Sequence, residues 1–323
     1  MSKGLTDIPG IRVGHASDYE GLTGCTVILV EAGAVAGVDV RGSATGSEEL
    51  DVLSPMHVTP QIHALVLAGG SAFGLEAASG VRRHLEQQGI GFSTGAARVP
   101  LTPCAILYDL AIGKPGARPT REMGEAAAAA ATDGPVAEGA VGAGTGATVG
   151  KLFGMRRAMK SGIGSATVWL DGSLAGVRVS ALAAVNAFGD VRDPATGNIV
   201  AGARVSEESL DFADSSAALL RGHQGGFRPI ENTTLVVVAT NARLSKTGAS
   251  KLAQLASLGV ARAIQPVWTM SDGDIVFSLS AGQMQAPVDA LGVAAAEAVA
   301  QSILRAVRLA PSLGGLPGLG SRV

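Results

Sequence analysis

The chain has 323 residues, of which 47% are apolar, so it is long enough to bury a substantial core in one large domain or in two. Aromatic residues make up only 3% of the chain and glycine occurs 45 times, which indicates a core of small side chains in which strands and helices approach closely. A formal net charge of −2, without clusters of one sign, argues against a nucleic-acid or anionic-membrane partner and favours a small uncharged or zwitterionic substrate.

The two cysteines, Cys25 and Cys104, form no C-x-x-C or Cys/His spacing, so neither a disulfide framework nor a metal site is predicted, and no cofactor is expected. The first ten residues lack the apolar segment of a signal peptide. Uninterrupted apolar stretches fall short of the roughly 18 residues that a membrane-spanning helix needs. These patterns predict a cytoplasmic protein.

Short apolar runs alternate with helical segments through the first half of the chain. Runs of β-branched and apolar residues bounded by turn residues predict strands, and segments rich in small residues predict helices. We predict strands at 8–13, 25–30, 35–40, 64–68 and 101–107, and helices from the loop at 69–74 to about residue 88 and at 122–131. Tyr108 follows the last of these strands, where its ring suits a core position as well as a substrate pocket.

The strand at 64–68 runs into a glycine loop that contains Gly69, Gly70 and Ser71. A nucleophile elbow would require glycine at position 73, where the chain has Phe73, and a dinucleotide-binding loop would require glycine at position 71. Both patterns therefore fail. We predict that the loop acts through its backbone, as a sharp turn that lines a substrate pocket, with Ser71 as a nucleophile the alternative.

A second glycine-rich run, at 142–150, ends in Lys151. A phosphate-binding Walker A loop would need glycine at position 145, where the chain has Thr145, and Ser or Thr at position 152, where it has Leu152. Nucleotide binding is therefore rejected. Lys151 is either a solvated surface cation or a cation in an apolar pocket, where it lowers the pKa of a neighbouring amine or stabilises developing negative charge. The apolar, glycine-rich surroundings favour the pocket.

The second half of the chain continues the alternation. We predict strands at 164–170, 177–179, 181–185, 233–240 and 275–279, helices at 206–220, 245–257 and 288–309, and a mobile Gly/Pro-rich tail at 311–323. The apolar run at 233–240 is too continuous for a half-exposed strand, so we predict that this strand is buried on both faces.

Polar residues stand at the ends of these strands. Asn186 follows the strand at 181–185, where an asparagine usually caps its own backbone. Asp272 and Asp274 precede the strand at 275–279, and their spacing places them on one face of an extended chain, while the glycine between them permits a bend into a site. A simple Asp-Gly-Asp turn is an equal alternative.

The buried strand at 233–240 opens with two hydroxyl residues behind Asn232. A Thr hydroxyl is a poor nucleophile unless a base takes its proton, and an N-terminal amine on the same residue, with a pKa of roughly 7.7 to 8, is such a base. Cleavage before Thr233 would therefore create a catalyst. Ordinary β-propensity and a glycosylation sequon at Asn232-Thr233-Thr234 are the alternatives.

Three segments carry a resemblance to a known family: Leu5–His15, Val38–Gly42, and Asn-Thr-Thr at 232–234 with its aliphatic run and Ala-Thr-Asn-Ala. They resemble the DmpA-like L-aminopeptidase/D-esterase family (peptidase family S58), N-terminal nucleophile hydrolases that include the nylon-oligomer hydrolases. The resemblance extends to about Leu309. It implies an α/β fold, an α-β-β-α layered sandwich in a single domain over 1–310, and a homo-oligomer such as a tetramer.

The resemblance also implies the roles of individual residues. It implies self-cleavage between Asn232 and Thr233, with Thr233 as the nucleophile of a chain cut into 1–232 and 233–323. Asn186 and Tyr108 would stabilise the oxyanion, and Lys151 would lie beside the nucleophile.

The two carboxylates of Asp272 and Asp274 would orient the Thr233 amine or bind the amino end of a small-molecule or short-peptide substrate. Asp-Gly-Asp is closest to the nylon-hydrolase branch, whereas other members have Ser and Glu at these places. The substrate therefore stays open between aminoacyl amides or esters and nylon-type oligoamides. An acyltransferase similar to the ornithine acetyltransferases and a non-catalytic small-molecule binder are the remaining alternatives.

Overall fold

The computed structural model describes residues 3–223 and 232–321. The strands are β1 (Arg12–Asp18), β2 (Thr23–Val40), β3 (Ser47–Glu48), β4 (Ile62–Ala68), β5 (Phe92–Ser93), β6 (Arg98–Val99), β7 (Cys104–Ile106), β8 (Thr148–Val149), β9 (Met159–Lys160), β10 (Ile163–Trp169), β11 (Arg178–Asn186), β12 (Asp190–Arg192), β13 (Ile199–Ala201), β14 (Thr233–Ala242), β15 (Ile264–Gln265) and β16 (Ile275–Met284). The helices are α1 (Glu76–Gln87), α2 (Arg121–Ala129), α3 (Ser215–Leu220), α4 (Lys246–Ala263) and α5 (Val288–Arg308).

Nine of these strands form one mixed sheet with the order β10-β11-β14-β16-β2-β4-β7-β3, in which β1 pairs with β2. The long strand β2 joins the two halves of this sheet. Its first part pairs with β1 and β4, and its last part pairs with β16. Most of the neighbouring strands are antiparallel, but β14 and β16 run parallel, as do β4 and β7.

Alternate residues along the strands face different cores, which makes the fold layered. In β14, Val236 and Val238 face the core covered by α4 and α5, whereas Leu235 and Val237 face the core between the two halves of the sheet. A third core lies between β4 and the helices α1 and α2. The order of layers is therefore helices, sheet, sheet, helices, and the predicted α-β-β-α sandwich is confirmed.

The helices pack closely because small residues stand where they cross. A Cβ atom on Gly124 of α2 would lie 1.9 Å from the carbonyl oxygen of Ala77 in α1, so only glycine permits this backbone approach. Helix α5 is long and apolar enough to cross a membrane, but 72% of its apolar window is buried in the fold. It packs on β10 and β11 as a core helix.

The strands expected at 177–179 and 181–185 are one strand, β11. Three further sequence predictions differ from the structure. The strands expected at 25–30 and 35–40 are one strand, β2, because Gly33 (φ +87°) and a register shift between Leu29 and Ala34 bend the chain without reversing it. The helix expected at 206–220 is limited to α3, which begins where the side chain of Asp214 accepts a hydrogen bond from the backbone N–H of Ala217.

The third difference concerns the tail. Residues 311–321 contact the domain: Leu316 is buried, the backbone N–H of Lys160 donates to the Pro317 carbonyl (2.8 Å), and Pro311 forms a β-bridge with Gly320. A Gly/Pro-rich pattern suits tight turns as well as mobile chain, and here it forms turns.

Candidate active site

Thr233 lies at the start of β14, and its side chain is buried. Its hydroxyl Oγ1 donates a hydrogen bond to the carbonyl oxygen of Asn232 over 2.5 Å. The same carbonyl oxygen accepts the backbone N–H of Gly273 over 2.9 Å. The peptide bond before Thr233 is therefore held between the hydroxyl that would attack it and a fixed backbone donor.

Asn186 is the residue opposite Thr233 in the antiparallel pairing of β11 and β14. Its Oδ1 accepts hydrogen bonds from Lys151 Nζ (2.7 Å) and the Thr148 backbone N–H (3.1 Å), while its Nδ2 donates to the Tyr108 carbonyl (2.8 Å). Donors on one side and an acceptor on the other fix which way the amide points. Asn186 thus presents a fixed amide beside Thr233.

Lys151 reaches Asn186 because its loop is pinned to the segment that follows β11. Its backbone N–H donates to the Phe188 carbonyl (2.9 Å), and Gly150, at φ +73°, approaches the backbone of Ala203 too closely for any side chain. The side chain is buried, and Nζ donates to both the backbone carbonyl (3.0 Å) and Oδ1 of Asn186. Lys151 is therefore a cation inside the site and not a solvated surface residue.

Asp272 and Asp274 are both buried beside the start of β14. Oδ2 of Asp272 accepts the N–H and the hydroxyl of Thr269, and Oδ1 of Asp274 accepts the backbone N–H of Thr234 over 2.5 Å. Burial raises the pKa of Asp272. Burial, followed by the charge of Asp272, raises the pKa of Asp274 well above its usual range, while the charge of Lys151 lowers the pKa of both carboxyls.

The glycine loop at 69–71 connects to the site through Asp109. Oδ1 of Asp109 accepts the Gly70 N–H (2.6 Å), and Oδ2 accepts the hydroxyl of Thr23 (2.8 Å). Gly69 has no room for a side chain, since a Cβ atom would lie 2.1 Å from Asp109 Oδ2, and Ser71 has φ +54°. The loop is thus a fixed turn tied to the residue after Tyr108.

Tyr108 itself contacts the site through its backbone. Its carbonyl oxygen accepts Asn186 Nδ2, so its place in the chain helps to hold the amide. The role that the resemblance implies, in which Tyr108 stabilises the oxyanion, stays a prediction.

The sequence analysis missed two buried charges behind the site. Lys160 is fully buried, and its Nζ donates to three carbonyls, those of Gly144 (3.0 Å), Ala147 (2.8 Å) and Ser161 (2.5 Å). Burial lowers the pKa of Lys160 to about 7 and raises the pKa of Asp109 to about 6. Lys160 fixes the glycine-rich run that leads to Lys151, and no local pattern at position 160 indicates a buried cation.

The structure therefore brings together most of the residues that the sequence singled out. The hydroxyl of Thr233 contacts the carbonyl of Asn232. Asn186 and Lys151 adjoin this pair on one side, and Asp272 and Asp274 adjoin it on the other. A hydroxyl, a carbonyl carbon, a fixed amide, a cation and two carboxyls in one buried place suit acyl transfer onto an oxygen nucleophile.

The chain matches known proteins over almost its whole length. The sequence model of peptidase family S58 matches residues 3–319. An uncharacterized aminopeptidase of Mycobacterium tuberculosis is 40% identical over 97% of this chain and 96% of its own length. A 6-aminohexanoate-oligomer endohydrolase of a Kocuria species is 32% identical over 94% of this chain and 85% of its own.

Among solved structures, the L-aminopeptidase D-Ala-esterase/amidase of Ochrobactrum anthropi, described as a variant of the Ntn hydrolase fold, superposes with a TM-score of 0.71. The match covers 98% of this chain and 88% of that one at 20% identity. At this identity the likeness concerns the fold, which is the Ntn hydrolase variant with a large mixed sheet.

Proposed function

This chain belongs to peptidase family S58 and is a hydrolase of peptide or amide bonds of the aminopeptidase/amidase type, and we propose that its catalyst is Thr233, freed as an N-terminal residue by self-cleavage. One observation carries the proposal: Thr233 Oγ1 lies 2.5 Å from the carbonyl oxygen of Asn232, in contact with the bond that it would break. Reacting groups already held in contact avoid most of the entropic cost of bringing them together.

Self-cleavage proceeds as an acyl shift from nitrogen to oxygen. Thr233 Oγ1 attacks the Asn232 carbonyl carbon, a C–O bond forms, and the C–N bond to Thr233 breaks. The nitrogen takes up the proton that the hydroxyl gives up, which leaves an ester and a free amine. Water then hydrolyses the ester, releasing the carboxylate of Asn232 and restoring the Thr233 hydroxyl.

In the mature enzyme the Thr233 amine is the base for its own hydroxyl, since its ordinary pKa of roughly 7.7 to 8 lies near neutral pH. The hydroxyl attacks an amide or ester carbonyl and forms an acyl-enzyme, which water hydrolyses. The fixed amide of Asn186, beside Thr233 in the sheet, supports a role for it in binding the oxyanion, together with Tyr108.

The neighbouring charges set the protonation of the Thr233 amine. The buried carboxyls of Asp272 and Asp274 favour the ammonium form, and the buried cation of Lys151 favours the neutral amine that acts as a base. Lys151 also counters the charge of a developing oxyanion next to Asn186.

Intact mass spectrometry with N-terminal sequencing tests the self-cleavage. We expect two pieces, the second beginning Thr233-Thr234-Leu235, and we expect Thr233→Ala to remain uncut and inactive. Thr234→Val is the matched control, because the Thr234 hydroxyl is buried and makes no hydrogen bond within the described residues. A Thr233→Ala protein that is cleaved and active would refute the assignment, and an uncut, inactive wild-type chain would favour a binding protein.

A nylon-type substrate is the second candidate. The 32% identity to a 6-aminohexanoate-oligomer endohydrolase, together with Asp272-Gly273-Asp274, supports it. Hydrolysis rates for aminoacyl p-nitroanilides of L-, D- and β-amino acids and for 6-aminohexanoate oligomers separate the two substrate classes, and product analysis with an added amine detects acyl transfer. The homo-oligomeric state and the cytoplasmic location stay predictions, to be tested by light scattering and by cell fractionation.

A further inference from the structure

We propose that the backbone N–H of Gly273 stabilises the oxyanion of the self-cleavage step, a role that rests on the proposed self-cleavage of Asn232–Thr233. This N–H donates to the Asn232 carbonyl oxygen over 2.9 Å. When Thr233 attacks, that oxygen becomes negatively charged, and a hydrogen bond to it becomes charge-assisted and stronger. The donor therefore acts more strongly in the transition state than in the uncut chain.

The Gly273 N–H is the donor that can stay on this oxygen throughout the step. Within the described residues, two donors reach the Asn232 carbonyl oxygen, and one is the hydroxyl of Thr233. That hydroxyl gives up its proton as it becomes the nucleophile. The backbone N–H of Gly273 is then the donor that stabilises the negative charge on the Asn232 oxygen.

The position of this donor is fixed by the sheet. Asn232 forms a parallel bridge with Asp272, in the same register as the pairing of Leu235 with Ile275 in β14 and β16. On the other side of Gly273, the backbone N–H of Ala44 donates to the Asp272 carbonyl over 2.9 Å. The 272–273 peptide group is thus held from both sides, and its N–H needs no reorganisation during the reaction.

Glycine is the residue that the geometry requires at this position. A Cβ atom on Gly273 would lie 2.6 Å from the carbonyl oxygen of Ala44 and 2.8 Å from Thr233 Oγ1. Any side chain would push the donor or the nucleophile away. The same position therefore supplies the N–H and leaves space for the attacking hydroxyl.

The test deletes the N–H while it keeps the backbone. Cell-free translation with a suppressor tRNA charged with glycolic acid makes the full chain with Gly273→glycolate, in which an ester oxygen replaces the N–H. The matched control is Ala44→lactate, which deletes the N–H that bonds to the other side of the same peptide group. Cleavage of labelled chains is followed on gels, and pulse proteolysis compares the folding of both variants.

We expect Gly273→glycolate to be cut about 10²–10³-fold more slowly than the wild type, the effect of removing one oxyanion donor. We expect Ala44→lactate to be cut within a few-fold of the wild-type rate. Equal slowing of both variants would mean that the hydrogen bonds only hold the segment, and a wild-type rate for Gly273→glycolate would also overturn the inference. Both of these outcomes presuppose that the wild-type chain is cleaved between Asn232 and Thr233. If the wild-type chain is not cleaved, the proposed self-cleavage fails as well.

Discussion

Replacing Lys151 by Met should remove most of the activity while it leaves the fold nearly as stable. The substitution deletes hydrogen bonds from Nζ to the carbonyl (3.0 Å) and Oδ1 (2.7 Å) of Asn186. Hydrogen bonds to a charged group contribute about 1.5–3 kcal/mol each. The cost of burying the ammonium, several kcal/mol, disappears at the same time. We therefore expect the free energy of unfolding to change by no more than about 2 kcal/mol.

The Lys151→Met variant tests the charge of Lys151 separately from the orientation of Asn186, because the amide of Asn186 keeps its other hydrogen bonds. Its Oδ1 still accepts the backbone N–H (3.1 Å) and the hydroxyl (3.3 Å) of Thr148, and its Nδ2 still donates to the Tyr108 carbonyl. Loss of an electrostatic contribution at the oxyanion typically lowers the rate by about 10²-fold. We expect kcat/KM for an aminoacyl p-nitroanilide to fall by about that factor.

The pH profile supplies a second readout. The charge of Lys151 lowers the pKa of Asp272 and of Asp274 and favours the neutral Thr233 amine that acts as the base, so its removal should move the acid limb of kcat/KM to higher pH. Rates are normalised to the cut chain by mass spectrometry, and Lys114→Met, which removes an exposed cation paired with Glu20, is the control. A kcat/KM within threefold of wild type, with an unmoved acid limb, would refute the reasoning.

Three further predictions follow from the same geometry. Asp272→Asn should move the acid limb of kcat/KM to lower pH, opposite to the Lys151 variant, because the charge of Asp272 raises the pKa of Asp274 and favours the ammonium form of the Thr233 amine; a shift of the acid limb to higher pH would contradict this. Between about pH 7 and 9 the wild type should gain up to about 1.4 kcal/mol of stability per pH unit relative to Lys160→Met, because the pKa of Lys160 is about 7 in the folded protein and the unfolded chain keeps the proton. Urea midpoints measured across this pH range test the prediction, and an equal change of midpoint with pH in both proteins would contradict it. Gly124→Ala should lower the free energy of unfolding by about 1–3 kcal/mol, because its Cβ would meet the Ala77 carbonyl, and an unchanged urea midpoint would show that α1 and α2 separate freely.

The sequence predicts the central strand and the long helices well because their patterns are local. The apolar run in β14 has no polar face, and the structure shows why: Leu235 and Val236 point into different cores. The helices predicted from residues 245 and 288 are α4 and α5, and the first is capped by Ser245, whose Oγ accepts the backbone N–H of Gly248.

The features that the sequence does not predict depend on distant contacts. Lys160 is buried because carbonyls of the loop at 144–147 surround its ammonium, and no property of its immediate neighbours encodes that enclosure. The bend in β2 depends on which strands pair with each of its ends. A turn signal such as Gly33 is the same whether the chain reverses or only bends.

In the candidate site as well, the sequence indicates which residues matter but not how they come together. Residue types and the family resemblance single out Thr233, Asn186, Lys151 and the two aspartates, but their proximity comes from sheet register. Asn186 faces Thr233 because β11 pairs with β14, and Gly273 reaches the Asn232 carbonyl because β16 pairs with β14. Such long-range pairings cannot be inferred from local sequence periodicity.

The strand that begins at Thr233 pairs with one strand from each side of the proposed cleavage site. β11 belongs to 1–232 and β16 to 233–323, so the proposed cleavage would leave two chains that share a single sheet. An uncut chain folds as one molecule. The cut protein, once denatured, would have to bring two chains together again, so its recovery would depend on protein concentration. After the proposed cleavage, a denatured molecule would lack the covalent link with which it first folded, so the lifetime of the cut protein would depend on how slowly it unfolds.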